Sequence, residues 1–332
     1  MKVSEKSAKT TDPAHEVNPR KKLKKIILRG LALFALINLI LALPIASLVE
    51  TYVLKGKGNR KVSQEAYVRE WLSSEMGMDS YAIEEKYRME KISIKSSGTE
   101  GYTIQAFHYY PEGESIGFIV MAHGMNSSHL GIYPEMEIFL EEGLEVYSFD
   151  ERKFGESTYP FISYGYYEGM DVKDVFEYAV AMSLGDARVL GVWGQSMGGA
   201  AVENALDEMS LINMCNCVIL DCPMGAMDEL TGAPKIQNSL AGVINVFVSG
   251  YSFKDQNPYP QIANVAAPVL LVRAGKETVI PKVSLDTIEE TLKAAPGELT
   301  VYVSPEAEHA CIAEVDREGY KNAVHEFLER YR

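Results

Sequence analysis

From residue 91 to the C-terminus, apolar runs typical of β-strands alternate with segments of helical length and pattern. The run at residues 116–122 carries no charge, which is typical of a strand buried on both faces of a sheet. Strands separated by helices indicate a mostly parallel sheet covered on both sides. In such a sheet, ligands bind at the carboxyl ends of the strands. The sequence therefore predicts an α/β fold with its functional site along one edge of a doubly wound sheet.

We expect a hairpin at residues 91–95 and 103–109, and further strands at 116–122, 145–149, 188–193, 217–220, 269–273 and 299–303. The intervening helices are expected near residues 134–142, 171–182, from 197 onwards, 284–294 and 314–331. Residues 223–267 interrupt the alternation, and we expect them to form a short lid. Its apolar stretch, residues 240–253, is expected either to cover the site or to pack on the core.

Charge is distributed unevenly along the chain. The first 29 residues hold nine Lys or Arg against three acidic residues, whereas the remainder holds 23 against 43. A nucleic-acid-binding protein needs a basic face, so this acidic body argues against nucleic acid as a partner. The four cysteines are too few and too unevenly spaced for a disulfide framework, and they form no Cys-x-x-Cys zinc motif.

A basic cluster that ends at Arg29 precedes twenty uncharged residues, 30–49. Twenty helical residues rise about 30 Å, the thickness of a bilayer's hydrocarbon core. We therefore expect a transmembrane anchor at residues 30–54 after a cytoplasmic tail at 1–29, with the rest of the chain outside the cell membrane. A cleaved signal peptide and a buried core helix are the alternatives. Residues 55–88 are expected to form a juxtamembrane helical stalk, with Tyr67, Trp71 and Leu72 on one face, and residues 89–332 the main domain.

The segment Gly194-Gln195-Ser196-Met197-Gly198 fits the G-x-S-x-G nucleophile elbow. It lies where that motif must lie, between an apolar strand and a helix. The turn exposes the serine hydroxyl, and Gly194 and Gly198 allow the strand and helix to approach closely. The alternative is a glycine-rich turn with an exposed serine and no chemistry.

With this elbow, residues 90–332 resemble the α/β-hydrolase superfamily of serine hydrolases. His123-Gly124 follows the strand at 116–122, as in the superfamily's oxyanion loop. The resemblance implies that the backbone N–H groups of Met125 and Met197 stabilise the oxyanion. The sequence has no Gly-rich nucleotide fingerprint, metal-ligand cluster or flavin motif, so we expect neither a cofactor nor a metal.

The segment at residues 150–157, with Asp150 and Arg152, is similar to the D-x-R-x-x-G-x-S turn of the superfamily, in which both residues have structural roles. Residues 165–171, GYYEGMD, are similar to a helix start in a bacterial membrane-anchored branch related to serine aminopeptidases and carboxylesterases.

The resemblance places the catalytic base at His309, which follows the last strand by a short loop and precedes the final helix. A base removes the serine proton, and an acid holds the base in the correct tautomer. Where most relatives have G-x-x-D-x-x-V-P, this chain departs from the pattern and has Glu277 at the acid position, aligned through Pro281. Asp221, at the end of the preceding strand, is the rival acid.

Ser196, His309 and Glu277 together predict a membrane-anchored hydrolase that cleaves acyl bonds, most simply carboxylic esters, through an acyl-enzyme. Peptide, amide and thioester hydrolysis would use the same residues. The expected partners are a small-molecule or lipid-like acyl substrate and the membrane, and the sequence leaves the oligomeric state open. A non-catalytic binding module displayed on the membrane is the alternative from a different functional class.

Overall fold

The computed structural model describes residues 19–48, 61–183, 185, 187–206, 213–232 and 234–332. Its helices are α1 (Pro19–Leu48), α2 (Glu65–Ser74), α3 (Ser80–Lys86), α4 (Tyr133–Glu141), α5 (Tyr166–Met182), α6 (Met197–Ala205), α7 (Met227–Thr231), α8 (Lys235–Ser249), α9 (Tyr259–Ile262), α10 (Lys282–Ala294), α11 (Ile312–Val315) and α12 (Arg317–Leu328). The strands are β1 (Met89–Lys95), β2 (Thr103–Tyr109), β3 (Gly117–Ala122), β4 (Leu144–Phe149), β5 (Val189–Gln195), β6 (Cys217–Asp221), β7 (Val269–Ala274) and β8 (Leu299–Ser304).

These eight strands form one sheet in the order β1-β2-β4-β3-β5-β6-β7-β8. The hairpin β1–β2 is antiparallel, and β2 is also antiparallel to β4. The remaining neighbours are parallel, so the carboxyl ends of β3 to β8 meet at one edge. The predicted α/β sheet, with a hairpin before its parallel part, is confirmed.

Both faces of the central strands are buried. Successive strand residues point to opposite sides, and each side packs into its own apolar cluster. On β3, Ile119 and Met121 pack with α4 and α12, whereas Phe118 and Val120 pack with α5, α6 and α10. This explains why the strand carries no charge. Two apolar layers therefore fix the sheet from both sides, and the loops at the carboxyl edge are placed on a rigid base.

The described part of the predicted stalk, residues 61–88, differs from the expectation. Instead of one stalk helix, residues 61–88 form two short helices, α2 and α3, separated by a turn in which Gly77 has a φ of 63°. Asp79 caps α3 by accepting the N–H groups of the next turn. Val68, Leu72 and Ile83 are buried in the cluster that also contains residues of α4 and α12. Residues 61–88 are therefore packed into the body of the α/β domain, and residues 55–60 lie outside the described residues.

Helix α1 covers most of the predicted anchor. Its described side chains between residues 27 and 41 are exposed except for Asn38, and the helix contacts α8. Among the helices that the structure describes, none is both long and apolar enough to cross a bilayer. Residues 1–18 of the predicted tail and residues 49–54 of the predicted anchor lie outside the described residues.

The segment between β6 and β7 contains three helices, α7, α8 and α9, where the sequence predicted a lid. Ala241 of α8 and the following Phe253 are buried in one apolar cluster with Met197, Met224 and Ile280. Met197 immediately follows Ser196. The two alternatives stated for the apolar stretch therefore coincide: it packs on the core, and it does so beside the predicted site.

Candidate active site

Ser196 lies at the sharp turn between β5 and α6. Its backbone has φ 52° and ψ −113°, a conformation that a non-glycine residue rarely adopts. A Cβ on Gly198 would lie 2.1 Å from the Ala122 carbonyl oxygen, and one on Gly194 would lie 2.3 Å from the Gly198 carbonyl oxygen. Only glycine fits at both positions, so the sequence spacing forces the turn that displays the serine.

The structure brings Ser196, His309 and Glu277 together from the ends of three strands. His309 Nε2 is 2.8 Å from Ser196 Oγ, and its Nδ1 is 2.6 Å from Glu277 Oε2. Glu277 follows β7, and His309 follows β8, so the parallel sheet delivers both residues to the edge where β5 ends. The serine, the base and the acid are therefore joined by two consecutive hydrogen bonds, the arrangement that activates a serine hydroxyl.

The second oxygen of Glu277 is held by the backbone. Oε1 accepts the N–H of Val279 at 2.7 Å and that of Ile280 at 2.9 Å. Burial would raise the pKa of Glu277, but the hydrogen bonds from His309 and Ile280 outweigh it and leave the pKa below its usual value. The carboxylate is therefore charged and aimed at the imidazole, and the longer glutamate side chain is accommodated by this turn.

Asp221, the rival acid, is fully buried and bonds elsewhere. Its Oδ2 accepts the Tyr320 hydroxyl at 3.1 Å, and His309 Nδ1 bonds to Glu277 instead. Burial raises the pKa of Asp221 to about 6. Its backbone oxygen accepts the Ser196 N–H at 2.9 Å, so Asp221 supports the elbow through the main chain.

The predicted oxyanion loop lies directly against the serine. A Cβ on Gly124 would lie 3.5 Å from Ser196 Cβ, so the backbone of this loop passes close to the serine just before Met125. Met197 is the first residue of α6, where N–H groups have no partner within the helix. The Met197 N–H is therefore not used by its own helix, as its predicted oxyanion role requires.

His123 fixes that loop and has no direct contact with the serine. Its Nδ1 donates to the Gly124 carbonyl at 2.7 Å, and its Nε2 accepts the Glu151 N–H at 3.0 Å. This pattern requires a neutral ring with the proton on Nδ1. Burial lowers the pKa of His123 to about 4, which agrees with a neutral ring. The histidine ties the loop after β3 to the loop after β4.

The turn after β4 has the structural role that the sequence predicted. Asp150 accepts the N–H of His129 and its ring Nδ1, both at 2.8 Å, and so ties the loop after β3 to this turn. Arg152 is fully buried and forms a bidentate pair with Asp171 of α5, at 2.6 and 2.9 Å. Neither Asp150 nor Arg152 is bonded to the serine or its histidine.

Sequence reasoning missed a polar group behind the serine. Glu135 of α4 is buried, and Gln195 Nε2 donates to its Oε1 at 3.4 Å. Burial and the nearby charge of Asp221 raise the pKa of Glu135 to about 8. Sequence spacing also missed Cys222, which lies beside Glu277 and could hold a metal ion with Glu277 and His309. Strand ends far apart in sequence bring these side chains together, and no local motif marks them.

The chain is similar to several known proteins. The chain is 26% identical over 316 residues to the uncharacterized protein YqkD of Bacillus subtilis (strain 168), covering 92% of this chain and 98% of that protein. It is similar in fold to the esterase Pf2001 of Pyrococcus furiosus, with a TM-score of 0.58, 22% identity, and coverage of 74% of this chain and 93% of the esterase. It is also similar to the acylaminoacyl peptidase of Pyrococcus horikoshii, with a TM-score of 0.55, 16% identity, and coverage of 76% of this chain and 43% of the peptidase.

The family described as serine aminopeptidase, S33, matches residues 113–295, more than half of the chain. The matched range spans the predicted oxyanion loop, Ser196 and Glu277, and His309 lies beyond it. The esterase neighbours share the fold. The chain therefore belongs to the serine aminopeptidase (S33) family of α/β-hydrolases.

Proposed function

We propose that the protein is a serine hydrolase that cleaves carboxylic esters through Ser196, His309 and Glu277. The observation that carries this proposal is the continuous hydrogen-bond path of 2.8 Å and 2.6 Å from the serine through the histidine to the glutamate. A serine with this path has both a base for its proton and a charged partner for the imidazolium that forms.

In the proposed reaction, Ser196 Oγ attacks the acyl carbonyl carbon while His309 Nε2 takes its proton. The negative charge that develops on the carbonyl oxygen is stabilised by the N–H groups of Met125 and Met197. The imidazolium donates its proton to the leaving alcohol, which departs and leaves an acyl-enzyme. His309 then takes a proton from water while the water oxygen attacks the acyl carbon. As the bond between Ser196 Oγ and the acyl carbon breaks, the imidazolium returns the proton to Ser196 Oγ, and the carboxylic acid is released.

The surroundings of the serine support an apolar acyl group. Met197, Met224 and Phe253 belong to one buried apolar cluster, and the N–H of Met224 donates to the Ser196 carbonyl at 3.0 Å. The same cluster includes Ile280, three residues after Glu277. Apolar side chains of one cluster thus lie near both the serine and the acid in the chain, as expected beside a site for aliphatic acyl chains.

The substrate class is tested with p-nitrophenyl esters of increasing acyl length, assayed beside aminoacyl-p-nitroanilides. We expect ester hydrolysis that depends on chain length, and no comparable release from the anilides. Faster cleavage of the anilides would make the protein a peptidase, the activity that its family description names. Absence of turnover with both sets, in a folded protein, would favour a non-catalytic binding module.

We further propose that residues 30–54 anchor the protein in the cell membrane, with the tail at 1–29 in the cytoplasm and the hydrolase outside. The proposal rests on the sequence: nine basic residues in the tail are followed by twenty uncharged residues. We expect the full chain to stay in the membrane pellet at alkaline pH and a chain that begins at Lys55 to remain in the supernatant. Release of the full chain by alkali would contradict the anchor.

A further inference from the structure

Cys222 completes a group of three metal-ligand types around the proposed triad. Its Sγ, a carboxylate oxygen of Glu277 and a ring nitrogen of His309 all lie within 4.8 Å of one another. The three residues follow β6, β7 and β8, which are neighbours in the sheet, so their positions relative to one another are fixed by the strand order. The backbone φ of Cys222 is 45°, a turn conformation that directs the chain away from β6.

We propose that Cys222, Glu277 and His309 form an inhibitory Zn²⁺ site. A thiolate, an imidazole and a carboxylate are the three ligand types that zinc uses in proteins, and three protein ligands leave a fourth position for water. Zinc bonds of 2.0 to 2.3 Å in a tetrahedron place ligand atoms about 3.3 to 3.7 Å apart. The His309 Nδ1 and Glu277 Oε2 atoms, now 2.6 Å apart, would have to separate, and the Cys222 Sγ, at most 4.8 Å from the other two ligand atoms, would have to approach them by no more than about 1 Å.

Access to the site is through the histidine and the glutamate. Their side chains keep 12% and 7% of their surface exposed, whereas Cys222 is fully buried. Zinc would therefore reach the exposed side of the pair first, and the thiol would complete the coordination from inside.

Zinc binding changes which nitrogen of His309 carries the proton. The ligand is Nδ1, since that atom lies 2.6 Å from Glu277 Oε2. The proton of Nδ1 moves to Nε2, the thiol of Cys222 gives its proton to solvent, and Zn²⁺ binds the resulting thiolate, imidazole and carboxylate. One proton is released for each zinc bound. With Nε2 protonated, His309 cannot accept the proton of Ser196, so the serine loses its base.

The proposed zinc site would inhibit ester hydrolysis and therefore rests on the proposed function. For this reason its test includes one readout that does not depend on activity. The full-length enzyme is first treated with EDTA and then titrated with Zn²⁺ while p-nitrophenyl ester hydrolysis is followed. We expect reversible inhibition by one equivalent of zinc and none by Mg²⁺, a hard cation that prefers oxygen ligands. In Cys222→Ser and Cys222→Ala, the inhibitory zinc concentration should rise at least about tenfold, since losing even an outer partner of a zinc ligand costs 10–100-fold.

Cys311 is the matched control, because its Sγ lies 3.3 Å from the His309 carbonyl oxygen but outside the group of three. The zinc sensitivity of Cys311→Ser should equal that of the wild type. Co²⁺ in place of Zn²⁺ should give a thiolate-to-cobalt absorption band in the near ultraviolet, present in Cys311→Ser and absent in Cys222→Ser. This band does not depend on ester hydrolysis, so it separates a failure of the zinc site from a failure of the proposed function. Wild-type zinc sensitivity in both Cys222 variants, or a cobalt band that survives in them, would overturn the inference.

Discussion

The hydrogen bonds of Glu277 predict what an amide at that position would do. In Glu277→Gln, only one side-chain oxygen remains. It must take the position of Oε1, because the N–H groups of Val279 and Ile280 both donate to an acceptor there. The amide NH₂ must then face His309 Nδ1. Because NH₂ is a donor, Nδ1 becomes the acceptor and the ring proton moves to Nε2. The histidine can no longer take the proton of Ser196.

The substitution also removes the charge that stabilises the imidazolium. In a serine protease the equivalent change lowers kcat by about 10⁴, which corresponds to about 5.5 kcal/mol of transition-state stabilisation. We expect a loss of the same order in kcat for Glu277→Gln with a p-nitrophenyl ester. The free energy of unfolding should change little, since the two backbone hydrogen bonds survive.

Asp221→Asn is the control. Asp221 accepts a hydrogen bond from Tyr320, and His309 Nδ1 bonds to Glu277, so the loss of its charge should affect kcat much less. The opposite ranking, with Glu277→Gln near wild-type activity and Asp221→Asn folded but inactive, would refute the assignment of the acid. Equal mild losses in both variants would be resolved by His309→Ala, which must abolish turnover if His309 is the base.

Three further predictions concern the scaffold of the site. Arg152→Leu leaves the Asp171 carboxylate buried without its partner, so urea denaturation should show a loss of about 3–5 kcal/mol; a loss below 1 kcal/mol would mean that the pair contributes little. Glu135 has a folded-state pKa of about 8, above its usual 4.5, so the folded state binds the proton more tightly and stability should fall as pH rises through this range. Glu135→Gln should flatten that slope between pH 5 and pH 9 in urea titrations, and an unchanged slope would contradict the assignment. Gly198→Ala places a Cβ 2.1 Å from the Ala122 carbonyl oxygen, so thermal unfolding should show destabilisation of about 1–3 kcal/mol and activity should be lost; a stable, active variant would show that the elbow can relax.

The central sheet and the elbow could be predicted because each depends on local sequence. Strand β3 is a short uncharged run between polar segments. A run of this length and composition is typical of a strand buried on both faces of a sheet. The elbow depends on two glycines and a serine within five residues. The boundaries differed by a few residues, as at β5, which continues through Gln195 to the nucleophile.

Other features depend on contacts between distant segments. Residues 61–88 looked like a stalk because their surface is polar, and only tertiary packing buries Val68 and Leu72 against α4 and α12. The final helix, predicted as one element, is divided at Asp316, whose side chain accepts the N–H of Gly319 and caps α12. Cys222 lies beside His309 because β6 and β8 both flank β7, which no spacing in the sequence indicates.

The claim that Ser196 is the nucleophile is tested most directly by a fluorophosphonate probe, which reacts rapidly only with an activated serine. The labelled protein is digested, and the modified peptide is identified by mass spectrometry. We predict one modified residue, Ser196, and no labelling of Ser196→Ala or of heat-unfolded wild-type protein. Labelling that persists in Ser196→Ala, or a folded wild-type protein that takes up no probe, would contradict the account.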